Sequence, residues 1–386
     1  MSTLPLDILD IIARLLQNET TTLKTACLVA HNWRIAFQPL LFSSVRITKE
    51  GTSKRFIDVI NERPSLRLYV RVLEVEFTED PTGKILVKLP RLEKITIRKR
   101  DILRSGFSEP LRSSLRSRYL TSLKLHNVVW FSLRLLNGAT ALKEFSSCNS
   151  SYAEMDLALI QDSESPILPT QTRTLGPRLR TLSLSSLARG KCELFKWLAH
   201  PKCILDLREL KTLDMHAFSI TELEYFCDIL PLIPSTLEHL TYIPPAQSAV
   251  PKMMQTIMEY FTLTRFTHLR IITFYIYLSV TRGPNEFDYL PWCTAFLSTL
   301  PNPSTLESIY MQCNIADNIE LRLDFRPQRW NQFDSLLSSS AFPKLNQVLL
   351  DFPKHHPTFL LFKTLLTENL SGLEREGKLE IRADIW

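Results

Sequence analysis

The chain is 386 residues long, and its 45% hydrophobic and 22% charged residues are the proportions of a folded protein, which excludes large disordered tracts. Its length suits two or three ordinary domains or one elongated repeat array. The formal charge of +6 is modest, and with only 9 glycines the sequence contains no G-x-G-x-x-G or G-x-x-x-x-G-K-[ST] phosphate loop.

The first 45 residues read as three short helices. Pro5 suits a helix start near Leu4, because its φ is already helical and its missing N–H would have no partner in a first turn. Leu4, Ile8, Ile11, Ile12, Leu15 and Leu16 then recur at three- and four-residue spacing and form one wide apolar stripe. A second helix is predicted from the threonines at 20–22, whose hydroxyls cap free amides, through Leu23, Cys27 and Leu28. A third carries Trp33, Ala36, Phe37 and Leu40, and Pro39 is expected to end or bend it. A unit of about 40 residues is too small to be stable on its own core. These helices are therefore expected either to hold a partner or to cap the domain behind them.

At these separations LPLDIL, CLVAHNW and QPLLF resemble the F-box, in the version that precedes irregular leucine-rich repeats in fungal proteins. The family's recurring positions fall on Leu4, Pro5, Ile8, Leu9, Ile12, Leu28, Val29 and Trp33, whereas His31 and Asn32 depart from its usual small polar and basic pair. The resemblance implies that these eight residues dock on the Skp-type adaptor of an SCF ubiquitin ligase, with cullin and RING subunits further away. It also implies a division into a helical domain at 1–47 and a repeat domain at 48–386. Helix packing through a surplus apolar face is the recognition mode that the residues themselves suggest.

Val45, Arg46 and Ile47 are a predicted strand, and Phe56, Val59 and Ile60 sit at helical spacing up to Pro64. A unit with apolar residues at i, i+3 and i+5 then repeats: Val70/Leu73/Val75, Leu92/Ile95/Ile97, Leu120/Leu123/Leu125, Leu179/Leu182/Leu184, Leu210/Leu213/Met215, Leu237/Leu240/Tyr242, Leu269/Ile272/Phe274, Leu306/Ile309/Met311 and Leu345/Val348/Leu350. A weaker copy lies at Leu142/Phe145, and Leu379/Ile381 closes the series. Successive copies begin 22 to 39 residues apart, the mark of a solenoid in which each unit supplies one strand and one return segment. Amphipathic segments at 130–136, 194–198, 223–230, 253–261, 292–300, 333–337 and 359–370 are predicted helices, and 161–177, 243–251 and 282–285 are predicted loops. The expected fold is α/β: three helices, then an irregular leucine-rich-repeat solenoid with a curved parallel sheet and helices on its convex side. The Asn or Cys that regular repeats carry after the strand is missing from most copies.

Alternation along each strand assigns the residues on the sheet's other face. Early copies place Glu74, Glu76, Lys94, Arg98, Lys124 and His126 there, and middle copies Ser183, Ser185, Asp214, His216 and His239. Late copies place Ile243, Ile271, Tyr275, Tyr310 and Leu349 there, which nominates these five for substrate contact unless the tail through Trp386 covers them.

Catalytic signatures are missing: there is no G-x-S-x-G, H-E-x-x-H or C-x-x-C, and no cofactor is expected. His200, Cys203, Cys192, Cys227 and the His355–His356 pair read as packing and surface residues rather than metal ligands. Seven scattered cysteines, the lack of a basic leader and the lack of an apolar run near 18 residues point to a soluble cytoplasmic or nuclear protein that engages no membrane. Residues 91–118 carry nine Lys or Arg against three acids, a net of +6, and read as a solvated basic loop with too few aromatics for a nucleic-acid surface. The expected function is that of a substrate-recognition subunit of an SCF-type ubiquitin ligase, with no catalytic residue of its own. The alternative is a repeat scaffold that binds a protein or RNA partner without ubiquitin transfer.

Overall fold

A computed structural model describes residues 4–17, 19–76, 80–98, 105–152, 176–185, 191–200, 203–216, 229–243, 263–278, 289–315, 327–354 and 359–384. The chain divides into two compact units, Met1–Arg178 with Ile204–Asp206, and Leu179–Cys203 with Leu207–Trp386. The first begins with helices α1 (Leu6–Leu15), α2 (Thr20–Val29) and α3 (His31–Leu41). Strands β1 (Ser44–Ile47), β2 (Val72–Val75), β3 (Lys94–Arg98), β4 (Ser122–His126) and β5 (Glu144–Cys148) follow. The second contains β6 (Thr181–Ser185), β7 (Thr212–His216), β8 (His239–Ile243), β9 (Ile271–Leu278), β10 (Ser308–Ile315), β11 (Gln347–Pro353) and β12 (Leu379–Asp384). Within each unit neighbouring strands pair in parallel and in chain order. The fold is thus α/β, built from repeated strand-and-return units.

Register explains why the repeat signature exists. In the first unit Leu73, Ile95, Leu123 and Phe145 are direct neighbours on β2 to β5, and all are fully buried. In the second, Leu182, Leu213, Leu240, Ile272, Ile309 and Val348 form one buried column, and Leu184, Met215, Tyr242, Phe274, Met311 and Leu350 form the next. Burying each such side chain stabilises the fold by about 1.5–3 kcal/mol. The weak copy at β5 is weak because Ser147 stands where the second apolar residue belongs. Ser147 is buried and shares a 2.6 Å hydrogen bond with the equally buried Tyr152 hydroxyl, whose pKa burial raises.

The returns are helical more often than the sequence suggests. Lys191–Ala199, Tyr289–Ser298, Pro327–Leu337 and Phe359–Asn369 occupy the predicted places. Asp80–Lys88 was not foreseen, and Ser105–Leu115 corrects the reading of 91–118 as a basic loop: this helix buries Phe107, Leu111 and Leu115 while Arg112 pairs with Glu109 at 2.7 Å. A Cβ on Gly83 would lie 2.6 Å from the Gly106 carbonyl, so these two helices approach where glycine alone fits. The predicted helix at 130–136 is a 3-10 turn, Leu133–Leu136, entered through Trp130 at φ 57°. Pro39 does not end α3, which continues two residues to Leu41. Residues 223–228, 253–261, 161–175, 244–251 and 282–285 lie outside the described residues.

Ser122 is fully buried in β4, and among the described residues its hydroxyl has no hydrogen-bond partner. Its burial therefore costs desolvation with nothing in return. Ser122→Ala is expected to raise unfolding stability by about 1 kcal/mol in a urea titration; a destabilised variant would reveal a bond that this geometry lacks.

Candidate functional site

The helical head resolves the single wide stripe of α1 into two. Leu9 and Ala13 enter a core with Leu23, Ala26, Cys27, Ala36 and Phe37, flanked by Ile12, Leu16, Trp33, Leu40 and Leu41. Trp33 stacks on Phe37 with ring centroids 5.3 Å apart. The other stripe, Ile8, Ile11 and Leu15, faces outward at the same helical spacing, and Leu4 is exposed just ahead of the helix. Leu15 is 79% exposed, and at the end of α2 Leu28 is 81% and Val29 63% exposed. Of the fifteen large hydrophobic residues exposed among those described, eight lie in this head: Leu4, Leu6, Ile8, Ile11, Leu15, Leu28, Val29 and Ile35. Scattered exposed apolar residues are ordinary, whereas a concentration of this kind marks an interaction surface.

Seven of the eight residues nominated for adaptor contact retain exposure of their own: Leu4, Pro5, Ile8, Leu28 and Val29 are exposed, and Ile12 and Trp33 are half-buried. Trp33 packs against the head's core. Leu9 is a correction: it is fully buried in that core, because it falls on the stripe with Ala13 and Leu16 rather than the one with Leu4 and Ile8. Leu6 and Ile35 were missed. Pro5 stands as the N-cap, and its carbonyl accepts the N–H groups of Ile8 and Leu9, both at 3.1 Å.

The second surface is the face of each sheet opposite the apolar columns. In the first unit it carries an ion network in which Glu74 meets Arg46 at 3.3 Å and Arg98 at 2.7 Å, and Arg46 also meets Glu76 at 2.7 Å. Lys94 and Lys124 are exposed beside it. In the second unit Ser183 donates to Asp214 at 2.8 Å across β6 and β7. Burial lowers the pKa of His239, against the pull of the Asp214 carboxylate. Burial and then the Asp214 charge raise that of Tyr275, whose hydroxyl is hydrogen-bonded to Gln312. Tyr310 donates to Gln347 at 3.3 Å, and Gln347 donates to Glu380 at 2.8 Å.

Of the five residues nominated for substrate contact, Ile271, Tyr275 and Tyr310 are half-buried on this face. Leu349 is a correction: it is only 4% exposed, lying in register between Tyr310 and Glu380 and beside the hydrogen-bonded chain that crosses β11. Ile243 ends β8, and its side chain lies outside the described residues, as do those of His216, Cys192, Cys227, His355 and His356. Among the described residues the face is therefore mixed, Ser183, Asp214 and Gln312 standing beside Ile271, Tyr275 and Tyr310, rather than the apolar patch expected from sequence. No described helix is long and apolar enough to cross a membrane. No protein-family model matches the chain, and no curated protein matches it.

His239 and His126 both have lowered pKa values, His126 by burial and then by Arg98 and Lys124. Below the ordinary imidazole value of 6.5 the unfolded chain takes up protons that these folded imidazoles refuse, so the stability they leave intact above that pH is lost as pH falls. The melting temperature is expected to be lower at pH 5.5 than at 7.5, and His239→Gln to narrow the difference. An unchanged difference in that variant would remove His239 from the account.

Proposed function

We propose that this chain is the substrate-recognition subunit of an SCF-type ubiquitin ligase. The head, α1 to α3, is an F-box-like domain that docks a Skp-type adaptor, which links it to cullin and RING subunits. The solenoid of leucine-rich-repeat character holds a protein substrate on the open sheet face. The observation that carries this reading is the second apolar stripe of α1, Ile8, Ile11 and Leu15, which with Leu4 just ahead of it stands outside a head whose own core is already closed by Leu9, Ala13 and Phe37.

The chemistry belongs to other subunits. Fixing a target near an activated ubiquitin raises its effective concentration, so the work of this chain is binding and placement. Tyr275 and Tyr310 are the anchors on the substrate side: tyrosine offers a rigid ring for contact and a hydroxyl that stays hydrogen-bonded.

Leu15 and Leu28 contribute little to the head's interior, so Leu15→Glu with Leu28→Glu is expected to leave the circular dichroism spectrum and melting temperature unchanged while adaptor co-purification is lost. Recovery of adaptor in wild-type amount with that double variant overturns the reading. A separate variant, Tyr275→Ala with Tyr310→Ala, is expected to keep the adaptor and to lose the captured substrate in a pull-down. Unchanged composition of the eluate would show that the substrate sits elsewhere.

A further inference from the structure

The residue before each strand of the second unit lies on one edge of the sheet, and there the backbone brings charges into a column. Lys211 N–H donates to the Arg180 carbonyl at 2.9 Å, Glu238 to Lys211 at 2.9 Å, Arg270 to Glu238 at 2.8 Å and Glu307 to Arg270 at 2.7 Å. The order of side chains along this edge is Arg180, Lys211, Glu238, Arg270, Glu307. Lys211 is paired with Glu238 at 2.5 Å, and Arg270 grips Glu307 with two hydrogen bonds of 2.9 and 2.7 Å. The Lys211 hydrogen bond comes first among the causes that hold the Glu238 pKa below its usual value, so this acid is ionised and committed.

Arg180 has no such acid. Its neighbour on the next strand is another cation, and among the described residues its exposed guanidinium makes no ion pair or hydrogen bond. Like charges placed side by side on adjacent strands are destabilising. A cavity of about 410 Å³ opens at this point, lined by Arg180, Arg208, Lys211 and Arg270 against Glu209 and Glu238, with Arg270 already held by Glu307. Its size is within the range of small-molecule sites, about 300–1,000 Å³.

From this we infer an anion-binding site at the strand edge of the second unit, which takes a phosphate group between Arg180, Arg208 and Lys211. A phosphate monoester carries about −1.5 to −2 charges at pH 7 and would meet the guanidinium of Arg180, which the Lys211–Glu238 and Arg270–Glu307 pairs leave without an acid among the described residues. Arginine presents a planar fork that suits its oxygens, while Lys211 adds a point charge. The site is distinct from the open face assigned to substrate contact above and does not depend on that reading.

The test is calorimetric titration of the full chain at constant ionic strength, with inorganic phosphate and with a short phosphoserine peptide as probes. Wild-type protein is expected to bind, Arg180→Gln to bind about tenfold more weakly, and Lys94→Gln, which removes an exposed cation from the other unit, to bind as wild type. Tighter binding of the peptide assigns the site to a protein-borne phosphate; equal binding assigns it to the free anion. Absence of binding, or equal affinity in Arg180→Gln and wild type, overturns the proposal.

Discussion

A single constraint shapes both units: one strand and its return cannot enclose their own apolar side chains. Leu213 is covered above and below only because Leu182 and Leu240 stand in register on either side, and the same holds for Leu123 between Ile95 and Phe145. Parallel pairing keeps every repeat facing the same way, so an apolar residue at i+3 always meets its counterpart. Repeat length is free to vary because the returns do not enter the register. That freedom explains why spacings of 22 to 39 residues coexist with a continuous i+3 column within each unit.

The same alternation fixes what the other face offers. Positions between the column residues are freed from packing, and the chain spends them on polar and aromatic groups: Ser183 and Asp214 joined across strands, Tyr310 linked through Gln347 to Glu380. Exposed ion pairs such as Arg46 with Glu76 add little to stability, because water screens them and two long side chains must be held in place. Their effect is on the sign and shape of the surface that a partner meets.

The head follows a different economy. Three helices of ten or eleven residues close around Leu9, Ala13, Leu23 and Phe37, and then carry a comparable set of apolar residues outward. A stable small domain has no use for Leu15 and Leu28 in water. Under the function proposed above, their placement is half of an interface whose other half is the adaptor.

Sequence alone determined the repeats, because the i, i+3, i+5 pattern is written residue by residue and a parallel register merely stacks it. It also determined that the head has more apolar residues than it can bury. It did not separate Leu9 from Ile8, since adjacent residues differ by about 100° on a helix and both border a broad apolar stripe, so only the positions of α2 and α3 decide which edge is covered. Leu349 was misplaced for a related reason: alternation gives the face on which a side chain stands, whereas its exposure depends on Tyr310, Gln347 and Glu380 arriving from neighbouring strands. The helix at Ser105–Leu115 was hidden by its Pro110 and its charges, and packing of Phe107 and Leu111 overrides that local composition. The placing of Arg180 beside Lys211 was invisible for the plainest cause, that residues 31 positions apart become neighbours only when the strands pair.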